Sequence, residues 1–432
     1  MTTNFLHGVE VVELTSGVRP IQTVRSSVIG LIGTAPAADA AVFPLNEPVL
    51  ISGSRSKANK LGTTGTLGAA MDGIFQQIGA TVVVVRVDEG ADEAATLANV
   101  AGSASAQTGV WAFTKAESML GISPKILAAP GFTHQCTLTS GSEVANVVMS
   151  QLVSLASAGT GVTDRLRAII IADGPNTTQA DAQAYADLHA SGRVYVVDPW
   201  VKCIYNGTTS TKPASAHVAG VIAKSDAERG FWFSPSNRII QGIVGASRAV
   251  GFFLGDENAE ANILNENDVA TIIRENGFRL WGNHTTTTDA QLQFLSTRRI
   301  LDMVNESVMR AHLWAVDRCI TRTFLQDVRE SVASYLRSLE ARGAILGSDV
   351  FIDPDANTAT DVANGQITID FEFTPVYPAE RVRFRSILTN NYIESILTDS
   401  NADDESANED GDENAPDNEE TTAGGDESNT YS

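Results

Sequence analysis

The sequence predicts an α/β body followed by a smaller α+β C-terminal domain, and three observations carry that reading. Between about residues 125 and 224, short continuous apolar runs alternate with amphipathic stretches, the pattern of a parallel sheet buried on both faces by helices. From residue 289 the spacing changes to two long helical repeats. Then Ile367–Phe373 alternates strictly between apolar and polar residues, as a half-buried strand does. With 432 residues, 43% of them hydrophobic, the chain has apolar material for two or three cored domains.

In order along the chain, Val9–Leu14 is strand-like, but Gly8, Gly17 and Pro20 fence it off. Residues 1–22 therefore read as an arm rather than part of a core. A first domain, 23–110, holds two buried strands: SVIGLIGTAP at 27–36 and Val82–Val87, the latter bounded by Gly79 and Gly90. The α/β domain, 111–282, alternates in type. Ile126–Ala129 is a strand, Val144–Ala158 a helix, Ala168–Ala172 a strand, Gln179–Ser191 a helix and Val194–Val197 a strand.

The C-terminal domain, 283–388, opens with a helix expected from Asp289. Leu292, Leu295, Ile300, Val304, Val308, Ala311 and Ala315 fall on one side of it. A second helix places Leu325, Val328, Val332, Leu336 and Leu339 together and stops at Gly343. Across the turn TPVYPAE, the strand Ile367–Phe373 faces RVRFRSIL at 381–388. There Arg381, Arg383 and Arg385 line one side and Val382 and Phe384 the other, so a hairpin with acidic-to-basic cross-strand pairs is expected. A short strand, Tyr392–Leu397 within 389–397, ends the apolar sequence.

Charge separates the remainder. The chain carries 30 Lys+Arg against 52 Asp+Glu, a formal −22. Residues 398–432 hold 13 acidic side chains, no basic ones and no Val, Ile, Leu, Met, Phe or Trp. A segment like that cannot bury enough surface to offset chain entropy, and disorder is expected. Removing its −13 leaves −9 for residues 1–397. The acidic balance and scattered basic residues argue against binding a nucleic-acid backbone. No apolar run approaches the roughly 18–20 residues of a membrane span, and Glu10 and Glu13 sit where a secretory leader would need an apolar stretch. Cys136, Cys203 and Cys319 are odd in number and far apart, which points to reduced thiols.

Chemistry finds little footing. There is no G-x-x-x-x-G-K-[ST] loop and no G-x-G-x-x-G after a strand, so no nucleotide cofactor is expected. The histidines His7, His134, His189, His217, His284 and His312 have no ligand spacing. The segment PASAHVAGVIA, Pro213–Ala223, resembles the H-V-A-G stretches of subtilisin-like proteases. The nucleophile position of that pattern is Lys212 and its alternative histidine position is Ala214. A triad therefore fails. The resemblance implies a subtilisin-like α/β domain without a catalytic site, with His217 packed in a helix and no enzyme activity.

A second resemblance spans nearly all of residues 1–397. SVIGLIGTAP, VVVVRVDEG (82–90), ILAAPGF (126–132), RAIIIADGP (167–175) and VYVVDPW (194–200) come first. SPSNRIIQGIVG (234–245), NGFRLWGNHTTTTD (276–289), RRILDMVNESV and ITIDFEF follow in order. This series is similar to the tail sheath proteins of contractile phages and of related particles such as R-type pyocins. It departs at His284, where members often carry Arg, and in the acidic tail.

The resemblance implies hexameric rings stacked around a tail tube, a virion tail assembled in the host cytoplasm, and baseplate and tail terminator partners. It implies no direct membrane insertion and no nucleic-acid partner. It further implies that both chain ends add as strands to neighbouring subunits, through Val9, Val11, Val12 and Leu14 at one end and Tyr392, Ile393, Ile396 and Leu397 at the other. The accepting hairpin would carry Ile367, Ile369, Phe371, Phe373, Val382 and Phe384. A C-terminal helix would face the tube, with Arg299, Arg310, Arg329 and Arg337 as candidates. Solvent-side pairing of Glu306 with Arg310 explains that arginine equally well.

Overall fold

A computed structural model describes residues 21–138, 144–154 and 159–393. The body is one nine-stranded sheet. Its strands are β1 (Ile29–Thr34), β2 (Pro48–Ser52), β3 (Thr81–Val87), β4 (Ile126–Ala128), β5 (Ile169–Asp173), β6 (Val194–Val197), β9 (Arg238–Ile239), β11 (Val269–Arg274) and β12 (Phe278–Trp281). A small side sheet holds β7 (Val201–Tyr205), β8 (Thr208–Lys212) and β10 (Ile243–Ala246). The large sheet runs β9-β12-β11-β6-β5-β4-β1-β3-β2. Its six central strands, from β11 to β3, are parallel, and antiparallel strands close both ends. The expected boundary at 110/111 thus runs through a single sheet, because β1 hydrogen-bonds to β3 on one side and β4 on the other.

The continuous apolar strands are explained by burial on both faces. Ile29, Leu31, Val82, Val84, Ile169 and Ile171 point into one core, with helices α1 (Leu67–Gln77) and α7 (Ser215–Glu228). Ile32, Val83, Val85, Ile170, Val194 and Val196 point into the other. That second core is covered by α2 (Glu93–Ala101), α3 (Ala116–Leu120), α4 (Val147–Leu152), α5 (Val162–Leu166), α6 (Gln179–Asp187) and α8 (Glu260–Glu266). At about 1.5–3 kcal/mol for each fully buried aliphatic side chain, these two layers are the main source of stability in the body.

Two body elements are shorter than expected. Val144–Ala145 is strand, and α4 begins only at Val147, where Asn146 Oδ1 accepts the Met149 amide at 2.8 Å. The second, α6, ends at Asp187, four residues before Ser191.

The C-terminal domain contains α9 (Leu295–Ala311), α10 (Arg322–Ala341), β13 (Ile345–Phe351) and β14 (Asp370–Pro375). The first helix begins six residues after Asp289 because its expected first turn is used elsewhere. Thr285 donates its amide to the Gln293 carbonyl and Leu295 to that of Asn283, so 292–295 is tied to the chain ahead of it. Ala315 lies beyond the helix, in a separate short turn. The second helix stops as expected, with Gly343 at φ +74° and the Ala344 amide donating to Leu339 O.

The expected hairpin is corrected. β14 pairs antiparallel with β13, Phe371 opposite Val350 and Phe351 opposite Asp370, while Arg381–Leu388 is neither helix nor strand. Packing decides this: Phe371 and Phe373 join Ile345 and Val350 on the core shared with α9 and α10. No helix among the described residues is long and apolar enough to cross a membrane.

Candidate assembly surfaces

In the C-terminal domain, β13 and β14 form a sheet of two strands among the described residues. Ile300, Met303 and Val304 of α9 and Val332, Tyr335, Leu336 and Leu339 of α10 form the floor beneath it. Phe371 and Phe373 stack on its inner face, ring centroids 6.5 Å apart. Each strand has one strand neighbour among the described residues, so the other edge of each has no strand beside it there; on β13 the Val350 amide donates to Asp349 Oδ1 at 2.8 Å. A bulge between Ile345 and Gly347 turns Leu346 outward, where it is 64% exposed. The described chain also enters at this domain. Ile21 and Val24 pack on its core, Thr23 Oγ1 lies 3.1 Å from Tyr335 Oη, and the Val24 amide donates to Ser307 Oγ at 3.1 Å.

Of the strand-exchange candidates, Ile369, Phe371 and Phe373 lie on the half-buried face of this domain, and Ile367 is also partly covered. Val382 and Phe384 are exposed in an irregular segment, Phe384 at 91%. Tyr392 and Ile393 are exposed at the end of the described chain. Val9, Val11, Val12, Leu14, Ile396 and Leu397 lie outside the described residues, as does the acidic tail.

The arginine candidates divide sharply. Arg299 is 4% exposed, its guanidinium donating to Asp226 Oδ1 at 2.7 Å, and it cannot face a partner. Arg310 is half-covered between Glu306, at 2.8 Å, and Glu117, at 2.7 Å, so the helical pairing weighed for it is present. Arg329 and Arg337 stand exposed on α10, Arg337 beside Glu330 at 2.5 Å. Sequence reasoning missed Arg322, exposed on the same helix, and the outward apolar tip of Met309, Leu313 and Val316.

The protease-like segment was tested by geometry. His217 sits inside α7, 3% exposed, with its ring where a Cβ on Gly73 would have to go. Neither ring nitrogen has a hydrogen-bond partner among the described residues, and burial pushes its pKa down to about 4. Ser215, at the start of the same helix, donates its hydroxyl to Asp173 Oδ2 at 2.6 Å and its amide to Oδ1 at 2.8 Å. Asp173 is fully buried at the end of β5, and burial pushes its pKa up to about 7 despite these donors. Lys212 lies on β8 with its ammonium 5.8 Å from the Tyr205 ring centroid. Thus the serine is held by a carboxylate and the imidazole by packing, and no nucleophile–base pair joins them. No cluster of three or more His, Cys, Asp or Glu suited to a metal occurs among the described residues.

Comparison with known proteins bears on the family of the chain. Family models match in succession: the tail sheath protein Gp18 domain III N-terminal region at residues 26–87, the phage tail sheath protein central domain at 116–286 and the phage tail sheath C-terminal domain at 287–389. A prophage major tail sheath protein of Pseudomonas aeruginosa (strain UCBPP-PA14) is 38% identical over 400 residues, covering 91% of this chain and 99% of its own. The chain belongs to the phage tail sheath family. The tail sheath protein of Escherichia phage P2 is 34% identical over 414 residues, covering 92% of this chain and 99% of its own. The helical sheath of the anti-feeding prophage in its contracted state has the same fold, with a TM-score of 0.66 at 20% identity over 90% of this chain and all of that one. The sheath subunit described here is a structural component of a contractile tail, as the ordered series of sequence segments implied.

Proposed function

We propose that the subunit forms hexameric rings stacked around a tail tube, and that collapse of the stack from long and narrow to short and wide drives the tube through a host envelope. The work is stored when the lattice assembles and is released once, behind a kinetic barrier. Assembly takes place in the host cytoplasm, with a baseplate at one end of the stack and a tail terminator at the other. The body is of subtilisin-like type without the catalytic set, a reading supported by the central helix α7 carrying His217-Val218-Ala219-Gly220 against the sheet.

The observation that carries the reading is the pair of open edges on β13–β14. Apolar strand-like sequences at both chain ends, Val9–Leu14 and Tyr392–Leu397, are suited to fill them in neighbouring subunits. Main-chain pairing of that kind survives rotation of the bodies it joins, and contacts of unlike surfaces build rings and helices rather than closed dimers. Arg329 and Arg337 are the tube-facing residues this reading favours, because they stand exposed on α10. Electron microscopy of the purified chain is the test. Full-length protein is expected to form striated tubes and protein lacking residues 1–20 to form none. Uniform tubes from the deletion would overturn strand exchange, and Arg329→Glu with Arg337→Glu leaving tube attachment intact would overturn the tube face.

A further inference from the structure

The C-terminal domain meets the body through apolar contacts, Phe231 in its core and Leu295 of α9 in the core of the body, and through a line of charge pairs. From α9, Arg299 reaches Asp226 of α7 and, at 3.3 Å, the carbonyl of Ser26 just ahead of β1. Asp302 receives both terminal nitrogens of Arg193, at 2.6 and 3.1 Å, and also pairs with Arg298. Arg193 immediately precedes β6. It also holds Asp164 at 2.7 Å and the carbonyl of Ala168, which precedes β5. Glu306 takes the ammonium of Lys125, which precedes β4, at 2.5 Å. Lys125 in turn donates to Leu166 O at 2.7 Å. Arg310 closes the series on Glu306 and Glu117.

Three features set this seam apart from ordinary surface pairing. Its central members are interior residues, with Lys125, Arg193, Arg299, Asp302 and Glu306 all buried. It balances, with Glu117, Asp164, Asp226, Asp302 and Glu306 against Lys125, Arg193, Arg298, Arg299 and Arg310. It also gathers at the N-terminal ends of β1, β4, β5 and β6, which are adjacent in the sheet. Burial opposes the Asp302 charge, but Arg193 and Arg298 outweigh it and hold that carboxyl below its ordinary pKa. A buried, multiply bonded ionic contact tolerates one geometry and loses much on sliding, whereas an apolar contact of similar area can repack.

We propose that α9 is a charge-locked strut that makes the β13–β14 domain and the sheet body one rigid unit, so that displacement imposed on the sheet edges is passed to the body undiminished. The force-transmitting role rests on the assembly reading above, but the lock itself is a property of the single subunit and is tested there. Hydrogen exchange on the wild-type protein is expected to place α9 amides in the same slow class as those of β4, β5 and β6. In Asp302→Asn, which leaves Arg193 and Arg298 facing a neutral amide, α9 is expected to exchange faster than those strands by about tenfold or more.

Wild-type α9 exchanging as a separate, faster unit would overturn the lock, as would Asp302→Asn leaving the two classes together. If Asp302→Asn does not fold, the wild-type comparison decides alone. Locked subunits that form no tubes would contradict the assembly reading and leave the strut standing. Tubes built from subunits whose α9 exchanges separately would do the reverse.

Discussion

In the body, a nine-stranded sheet has its central strands covered on both faces by helices that fill two separate cores. In the C-terminal domain, two strands lie on two helices with no further strand on either side among the described residues. The body has the burial of a self-sufficient domain. The smaller domain keeps its apolar floor but leaves Leu346 and Phe351 exposed beside an edge with no further strand among the described residues, as the strand exchange proposed above requires. Under the assembly proposed above, the first kind of region is the solid unit that moves and the second the edge through which neighbours hold on.

The contrast can be broken first at the body. Ile171, fully buried between α7 and the neighbouring strands, is expected to cost about 2–5 kcal/mol on replacement by Ala. Denaturant unfolding of the soluble subunit reads this directly, and a loss below about 1 kcal/mol would mean that the sheet is not the stable unit.

Acid sharpens the same point. His189 and His217 are buried in the body, and burial lowers both pKa values to about 4. Below an ordinary value near 6.5 the unfolded chain takes up these protons first. The stability supplied by the neutral rings is therefore complete above pH 6.5 and lost as pH falls toward 4, about 3 kcal/mol for each ring. Asp173 works in the opposite sense. Raised to about 7, it favours the fold while protonated and loses that contribution as pH rises from its unfolded value through 7. Two rings against one carboxyl leave a net gain of about 1.4 kcal/mol per pH unit between pH 4 and 6.5. His217→Gln should flatten that slope and Asp173→Asn should steepen it; the opposite changes would contradict the assignment.

The smallest expected effect lies on the open domain. Leu346→Ser is expected to change subunit stability by no more than about 0.5 kcal/mol, as exposed sites do. The same substitution should reduce the yield of tubes seen by microscopy, since it alters a surface at the sheet edge. A large stability loss would show that Leu346 already belongs to the subunit's own core.

Where the sequence was legible, one physical rule dominated its pattern. Strands buried on both faces read as continuous apolar runs, so β1, β3, β4, β5 and β6 were found with small errors at their ends. Strand β13 was not, because Gly347, Ser348 and Asp349 interrupt its alternation and the bulge after Ile345 shifts its phase. With β13 unseen, Ile367–Phe373 was given the nearest downstream partner, Arg381–Leu388. The ionic seam escaped for a related reason. Charges on an amphipathic helix read as the solvent side, yet Arg299, Asp302 and Glu306 are buried because Asp226, Arg193 and Lys125 arrive from segments 73, 109 and 181 residues away in sequence. Nothing local encodes such partners. Arg329 and Arg337, on the solvent side of α10, do stand exposed.

The measurement that bears most directly on this account compares two truncations by negative-stain microscopy. Ending the chain after Leu397 removes only the acidic tail, whereas ending it after Thr389 also removes the strand candidate Tyr392–Leu397. If neighbouring subunits complete the β13–β14 sheet, the longer protein forms striated tubes and the shorter one remains as folded, unassembled subunits. Uniform tubes from the shorter protein would contradict the claim that the open sheet is finished by exchange.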